Sequence, residues 1–318
     1  TLAASDLYKP SENESYPFNI IWMRTRCTKL FPPHTLPYCP EVKKIAKSGN
    51  FDLIITSEVF SLNSLKLALC TPKNLIVWQE LGKHNRIFHG LASKFWYGIV
   101  AKIGFKKALI VARSVQAREF ISKYCKNVSD TIIDHGVNIE KFTPCREKDN
   151  QFAISSQLIS RKHIEKSIEA FAKYLNKYDD SAKLYIMGDG DEKENLRKLA
   201  KDLGADKNII FTGKLGHNEL IEILKKSIAM LVYTEKDNNM VSIVESIALA
   251  TPVITTDIPY NASYIKAEKL GIVNNNWNED DLRKLATSDE YINNCINYRK
   301  YLPTEYKAEQ FLKVKGLI

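Results

Sequence analysis

The densest group of residues that could carry chemistry lies in residues 233–253, where an apolar strand pattern, a polar turn and a small-residue helix follow one another. The helix is predicted to begin near residues 240–242, and free backbone amides at a helix start favour a phosphate group. Glu245 falls inside that helix, on the stripe of Val241 and Leu249. A carboxylate buried on such a stripe needs a partner, and a ribose diol is a suitable one; the alternative is that Glu245 faces solvent.

A second group follows the strand pattern at residues 152–155 and contains Arg161 and Lys162. Two adjacent cations before a predicted helix suit a diphosphate, although a solvated loop would have the same composition. Gly188 ends another strand pattern within a Gly-Asp-Gly sequence. A glycine there either lets the backbone approach a ligand or simply makes a tight turn.

The elements that position these residues alternate between strands and helices. Strand patterns include residues 53–56, 75–78 and 183–187, with helical patterns between them. This alternation predicts an α/β protein whose parallel sheets are covered by helices on both faces. Ligands of such sheets bind outside the carboxyl ends of the strands, so strand-end residues are the first candidates for function. A polar, proline-containing segment at 144–150 is predicted to link two domains.

Several motifs, taken in order, resemble those of the retaining glycosyltransferases of family 4, within glycosyl transferases group 1. The acidic motif of that family is a Glu, seven residues, a second Glu, and a helix that ends in Gly-x-Pro-Val. Here Asp237 and Glu245 hold the two acid positions, and Thr-Pro-Val closes the helix. Residues 155–163 and 187–191 are similar to the family's basic loop and its Gly-x-Gly turn. The resemblance covers residues 105–275 well and implies the GT-B fold, an α/β fold with two Rossmann-like parallel-sheet domains facing a cleft.

The resemblance also assigns roles to individual positions. Lys162 would contact the donor diphosphate, Glu245 the ribose, and Asp237 the hydroxyls of the donor sugar. Gln157 stands where the family has an Arg, and neighbouring Arg161 would compensate for the lost charge.

The rest of the implied donor site surrounds the acidic motif and the next strand ends. A turn of Asn and Met replaces the family's Gly-Phe-Gly, and its amides would stabilise the departing phosphate. Gly188 would lie beside the donor, and Lys214 near the base. These further donor-binding candidates are Asn238, Asn239, Met240, Val241, Gly188 and Lys214.

Two catalytic candidates come from the first half of the chain. The family places a His at the end of a strand, where it touches the donor sugar. The equivalent strand at 75–78 ends in Gln79, which can hydrogen-bond a hydroxyl but does not titrate near neutrality. His84 follows in the sequence and is the second candidate, with a surface loop position as the alternative.

The resemblance implies an enzyme that moves a hexosyl or N-acetylhexosaminyl group from a nucleotide-sugar, with UDP as the default nucleotide. The acceptor is expected to be a glycan or a lipid-linked molecule in surface polysaccharide biosynthesis, and no metal or other cofactor is expected. The expected domains are an acceptor-side Rossmann-like domain at 1–145, which lacks the family's first strand and glycine-rich loop, and a nucleotide-sugar-binding domain at 146–295. A helical tail at 296–318 is expected to cross back to the first domain. Two alternatives stay open: a catalytically inactive relative that acts as a binding or chaperone subunit, and a GT-B-shaped epimerase.

Composition favours an anionic partner without choosing one. The 46 Lys and Arg against 37 Asp and Glu give a net charge of +9, which suits nucleotide phosphates, nucleic acid or an acidic membrane. The lack of a zinc knuckle or an RNP-type motif argues against nucleic acid. Residues 93–107 are aromatic and basic, which predicts contact with an anionic membrane, packing on the sheet, or both. Scattered cysteines and the lack of a bilayer-length apolar run predict a cytoplasmic protein, peripheral on the inner membrane face.

Overall fold

The chain forms two compact units. The computed structural model describes residues 1–10, 18–26, 38–84, 90–237 and 239–318. One unit comprises Thr1–Asp134 together with Leu312–Ile318, and the other comprises His135–Phe311. The polar segment at 144–150 therefore belongs to the second unit.

The first unit contains two groups of parallel strands. In its described part β1 pairs with β2, while a four-stranded sheet has the order β3-β4-β5-β6. A π-helical segment, Trp96–Ala101, joins α3 and α4 into one continuous helix. The elements are β1 (Leu2–Ser5), β2 (Ile20–Met23), α1 (Val42–Ser48), β3 (Ile54–Ser57), α2 (Leu62–Cys70), β4 (Leu75–Gln79), α3 (Leu91–Phe95), α4 (Lys102–Gly104), β5 (Leu109–Ala112), α5 (Val115–Ser122) and β6 (Val128–Ile132).

The second unit is a six-stranded, fully parallel sheet with the order β12-β11-β10-β7-β8-β9. Helices follow nearly every strand. The elements are β7 (Gln151–Ser155), α6 (Ile164–Lys177), β8 (Lys183–Met187), α7 (Lys193–Asp202), β9 (Ile209–Gly213), α8 (His217–Lys226), β10 (Ala229–Leu231), α9 (Val241–Ala248), β11 (Val253–Thr255), α10 (Ala262–Ala267), β12 (Gly271–Val273), α11 (Glu279–Ala286), α12 (Glu290–Tyr298) and α13 (Thr304–Lys315), whose last residues lie in the first unit.

The apolar residues of the second unit recur at the spacing that each helix or strand needs to bury one face in the core. In α6 the apolar residues Ile164, Ile168, Phe171 and Leu175 recur at helical spacing, and all are buried. They pack against Phe152 of β7 in one hydrophobic cluster. Because helices cover both faces, the strands read as nearly continuous apolar runs rather than alternating ones.

The strand order reverses beside β7. The chain runs from β7 through β8 to β9 on one side, and then returns to β10 on the other. A crevice opens outside the carboxyl ends of the strands at such a switch point, and ligands of open α/β sheets bind there. The loops that follow β7 and β10 therefore have the best position for a binding site.

The α/β parallel-sheet prediction is confirmed, and the predicted helix His217–Lys226 and strand Lys183–Met187 match the structure at both ends. The predicted link at 144–150 is not a free tether. Lys148 Nζ donates to the Lys225 carbonyl at 2.8 Å and to Thr251 Oγ1 at 2.9 Å, so this segment lies against the second unit.

Candidate functional site

The loop after β7 delivers two cations to the switch point. Residues Ser160–Lys162 form a 3-10 turn, and His163 adopts a left-handed conformation with φ of 41° at the start of α6. Lys162 is buried, which requires a partner for its charge. Its Nζ donates to Asp237 Oδ2 at 2.6 Å, and Arg161 Nη1 donates to the same oxygen at 3.3 Å. The structure thus brings together three of the predicted site residues.

The Asp237 carboxylate is the meeting point of the loops after β7 and β10. It also accepts a hydrogen bond from Thr234 Oγ1 at 2.8 Å. Two further bonds join the same loops, because Glu235 N donates to the Arg161 carbonyl and Arg161 Nη1 donates to the Lys236 carbonyl. Two cations against one carboxylate leave one surplus positive charge, so the cluster attracts an anion.

The start of α9 lies at the end of the same loop. Met240 holds the cap position, and its side chain makes no capping hydrogen bond to the helix start. Met240 N donates to Asn261 Oδ1 at 2.7 Å, which fixes the backbone leading into the helix, and Val241 is exposed. Asn239 is half-buried, and Asn238 lies outside the described residues. A helix start of this kind offers backbone amides and the positive end of the dipole to an anion.

Glu245 does not face solvent freely, since only 16% of its side chain is exposed. Its Oε1 lies 3.1 Å from Nε2 of His217, the first residue of α8. The His217 ring packs edge-on against Phe142 at 5.9 Å between centroids. Sequence reasoning missed His217, because nothing in the local pattern indicates that a residue so far from Glu245 along the chain would contact it.

Three further candidates for donor binding are Gly188, Gln157 and Lys214. Gly188 has φ of 147°, and a Cβ there would stand 1.8 Å from the Ser156 carbonyl oxygen. The absence of a side chain at Gly188 therefore lets the loop after β7 pack against this backbone. Gln157 and Lys214 are exposed.

The two candidates from the first unit are engaged in internal hydrogen bonds. Gln79 is fully buried; its Oε1 accepts from Val59 N and its Nε2 donates to the Leu81 carbonyl, both at 2.9 Å. His84 has Nδ1 at 3.0 Å from Ser93 Oγ and Nε2 at 3.0 Å from Tyr124 Oη. Burial lowers the pKa of His84. A sugar could reach Gln79 only if its surroundings opened, because the side chain is fully buried, and His84 only if one of its two hydrogen bonds broke.

A polar cluster that sequence reasoning missed lies at the carboxyl ends of β3, β4 and β5. It consists of Glu58, Glu80 and Arg113, which directly follow the three strands. Arg113 Nη1 donates to Glu80 Oε2 at 2.7 Å. The only available signal was that each residue follows a predicted strand.

The profile of the family described as glycosyl transferases group 1 matches residues 138–300, which is more than half of the 318 residues. The chain belongs to this family. The matched region begins beside the first residues of the second unit and contains the whole Lys162–Asp237–Glu245 site.

Among curated proteins, the alpha-monoglucosyldiacylglycerol synthase of Streptococcus pneumoniae is 25% identical over 255 residues, which are 72% of this chain and 57% of that protein. The O-antigen chain mannosyltransferase RfbU of Salmonella typhimurium is 28% identical over 171 residues, 52% of this chain and 47% of that protein. The chain thus spans about half the length of these curated relatives.

Among solved structures, HepE of Anabaena in complex with UDP superimposes with a TM-score of 0.68 at 12% identity, covering 94% of this chain and 86% of that one. This likeness confirms the predicted fold class, the GT-B architecture with two Rossmann-like parallel sheets.

Proposed function

We propose that this protein is a retaining glycosyltransferase that moves a sugar from a nucleotide-sugar to a hydroxyl of a glycan or lipid-linked acceptor. The observation that carries the proposal is the cluster of Lys162 and Arg161 at the switch point of the second sheet, next to the loop that leads into α9. Membership of the family supports the reaction class.

The proposed mechanism uses charge and position rather than a protein nucleophile. A diphosphate that binds at the cluster replaces the Asp237 carboxylate beside Lys162, and the amides at the start of α9 contact its other oxygens. Asp237 then holds hydroxyls of the donor sugar, and Glu245 turns from His217 to the ribose. The acceptor hydroxyl loses its proton to the leaving phosphate on the same face of the sugar, so the product keeps the donor's configuration. Preorganised positive charge on the leaving group accelerates such a step.

We propose UDP as the nucleotide and no resident metal. Complexes of related folds with UDP support the first point, since HepE was solved with UDP. For the second, Lys162 and Arg161 supply the positive charge that a metal would otherwise place on the diphosphate. Within the described ranges no group of three or more His, Cys, Asp or Glu residues could hold a metal ion.

We further propose that the protein works at an anionic membrane surface. The continuous helix from Leu91 to Gly104 exposes a row of four apolar side chains, each four residues from the next and each between 51% and 71% exposed. We call this row the apolar ridge; it consists of Leu91, Phe95, Ile99 and Ile103. The opposite face of the helix packs into the first unit's core through Tyr97 and Ala101.

The charges around the apolar ridge suit anionic lipid. Lys94, Lys102, Lys106 and Lys107 are exposed on or just after the same helix. Apolar side chains between lysines are typical of a segment that lies in the membrane interface. In the described part of the chain, no helix is long and apolar enough to cross a bilayer. The name of the curated relative from Streptococcus pneumoniae, a monoglucosyldiacylglycerol synthase, gives a glycosylated lipid as its product, which supports an acceptor at the membrane.

The transfer proposal is tested first with a panel of nucleotide-sugars in a thermal-shift assay. A true donor at a hundredfold excess over its Kd would stabilise the protein by about 2.7 kcal/mol. Donor consumption and the anomeric configuration of the product are then measured by NMR. Glu245→Ala should abolish both stabilisation and turnover. The control is Glu222→Ala, which removes an exposed carboxylate of α8 in the same unit.

Each outcome of that assay separates the alternatives. Binding without turnover would favour the inactive relative, and a changed sugar without transfer would favour an epimerase. Inversion at the anomeric carbon would contradict the proposed mechanism.

The membrane proposal is tested by flotation with vesicles that contain phosphatidylglycerol, compared with pure phosphatidylcholine vesicles. Ile103→Glu should reduce flotation with the anionic vesicles. Leu69→Glu is the matched control, because Leu69 is equally exposed on α2 of the same unit but lies outside the apolar ridge. Equal flotation of both variants and the wild type would refute the ridge as the contact surface.

A further inference from the structure

The imidazole of His163 lies between two carboxylates that belong to different elements of the second unit. Its Nδ1 is 2.8 Å from Oε1 of Glu165, in the first turn of α6, and its Nε2 is 3.3 Å from Oε2 of Glu235, in the loop after β10. A neutral imidazole has one N–H donor and one acceptor nitrogen, whereas the imidazolium has two donors. Because carboxylate oxygens only accept, both contacts are hydrogen bonds only when His163 is protonated. We call this arrangement the His163 bridge.

The surroundings of the ring favour the protonated form. Three cations lie within three residues of His163 along the chain, and each donates to another carboxylate; they are Arg161, Lys162 and Lys166. The Tyr233 ring packs edge-on against the imidazole at 6.3 Å between centroids. The hydrogen bond to Glu165 raises the pKa of His163, partial burial opposes this change, and Glu235 raises the pKa further.

The backbone of His163 is in an unfavourable conformation. Its φ of 41° and ψ of 45° place a non-glycine residue in the left-handed region, at the end of the turn that carries Lys162. Such a conformation persists where the surrounding contacts fix it. Here His163 N donates to the Ser160 carbonyl at 3.1 Å, and the two carboxylates hold the side chain. The position of the Lys162 turn therefore depends on the contacts that His163 makes.

The His163 bridge joins the loops after β7 and β10 without using the donor-site cations. Lys162 and Arg161 also join these loops through Asp237, but a diphosphate that replaces this carboxylate removes that connection. The contact between His163 and Glu235 remains, because neither residue pairs with those cations. The bridge can therefore keep Lys162 in place when the donor is bound.

We propose that protonated His163 is a positioning residue for the donor diphosphate, because its bridge to Glu165 and Glu235 holds the Lys162 loop against the loop after β10. Affinity for a nucleoside diphosphate then falls when the bridge loses its proton. This inference rests on the proposed function, since Lys162 belongs to the proposed donor site. His163 acts through the two loops and does not contact the diphosphate.

The protonation state is tested without any ligand. Long-range ¹H–¹⁵N NMR spectra of the imidazoles are recorded between about pH 5 and pH 9, and the His163 signals are assigned by their loss in His163→Gln. The midpoint should lie above the ordinary value of about 6.5. The bridge is then complete below that pH and is lost as the pH rises through the raised midpoint. A midpoint at or below about 6.5 would overturn the proposal.

UDP binding is tested by isothermal titration of the wild type and His163→Gln at about pH 6 and about pH 9. The ratio of the two Kd values is the readout, because the titration of UDP itself is common to both proteins. His163→Gln should weaken UDP binding about fivefold at the lower pH and less than about twofold at the higher one. A ratio that does not change with pH would refute the proposal, since a loss of packing alone is independent of pH.

Variants then assign the effect to the bridge. Glu235→Gln should lower the His163 midpoint and reduce the pH dependence of UDP affinity. Glu169→Gln makes the same chemical change one turn further along α6, where the side chain pairs with Lys166, and should leave both unchanged. His163→Arg stays charged at every pH used and should bind UDP more tightly than the wild type at the higher pH. An unchanged midpoint in a folded Glu235→Gln protein would contradict the bridge.

Lys162→Ala separates this inference from the proposed function. If Lys162→Ala leaves UDP affinity unchanged, the proposed donor site fails, whereas the NMR titration still judges the bridge. If Lys162→Ala weakens UDP binding and His163→Gln does not at either pH, the donor site stands and the positioning role of His163 is refuted.

Discussion

Replacing Asp237 by Asn is expected to tighten UDP binding while slowing transfer. In the structure Asp237 Oδ2 lies 2.6 Å from Lys162 Nζ and 3.3 Å from Arg161 Nη1, so a diphosphate must compete with this carboxylate for both cations. Two unit charges about 4 Å apart interact by about 4 kcal/mol at the effective dielectric constant near a protein surface. Asp237 can turn away and salt screens the charge, so we expect a net gain of about 1–2 kcal/mol, or about 5- to 30-fold in Kd.

Isothermal titration of UDP into the wild type and Asp237→Asn measures this effect directly. The gain should shrink as salt is raised above about 0.15 M, since the competition is electrostatic. Asp206→Asn removes an exposed carboxylate in the same unit and is the matched control. A folded Asp237→Asn protein that binds UDP no better than the wild type would refute the competition between carboxylate and diphosphate.

Three other changes have expected outcomes. Lys162→Ala should slow single-turnover transfer about 10²- to 10³-fold, because the leaving diphosphate loses a preorganised cation. Glu58→Gln should stabilise the protein near pH 8 but not near pH 4. Burial raises the pKa of Glu58 from 4.5 to about 7, so the wild type loses stability as the pH rises between these values and Glu58 becomes charged. Urea unfolding should show a loss of at most about 3 kcal/mol, which the neutral Gln avoids. Gly188→Ala should lower the melting temperature far more than Gly204→Ala, because both have positive φ but only Gly188 would clash, with the Ser156 carbonyl.

The individual residues of the Lys162–Asp237 cluster could be proposed from the sequence because the signal of each is local. Strand, turn and helix follow one another within residues 233–253, so the pattern itself places Asp237 in the polar turn and Glu245 inside the helix. Lys162 follows its strand in the same way. What the pattern could not give is that Asp237 would pair with Lys162, since the two are far apart along the chain.

The first unit was predicted less well for the same physical reason. The partners Glu80 and Arg113 are joined only by sheet pairing between β4 and β5. Gln79 ends β4, where the resemblance places a His, but successive side chains along a strand point to opposite faces. Gln79 is buried and Glu80 is partly exposed, so the polar group that reaches solvent is one residue further along.

The π-helical segment Trp96–Ala101 reduces the spiral of the apolar ridge around its helix. In an α-helix, residues four apart are rotated by about 40° from one another, so four side chains at that spacing would spiral through about 120°. A π turn holds more residues than an α turn and rotates the spacing in the opposite direction. Phe95 and Ile99 bracket most of this segment, which cancels part of the spiral. The four side chains then lie closer to a single line along the helix, so more of them can contact a flat surface at once.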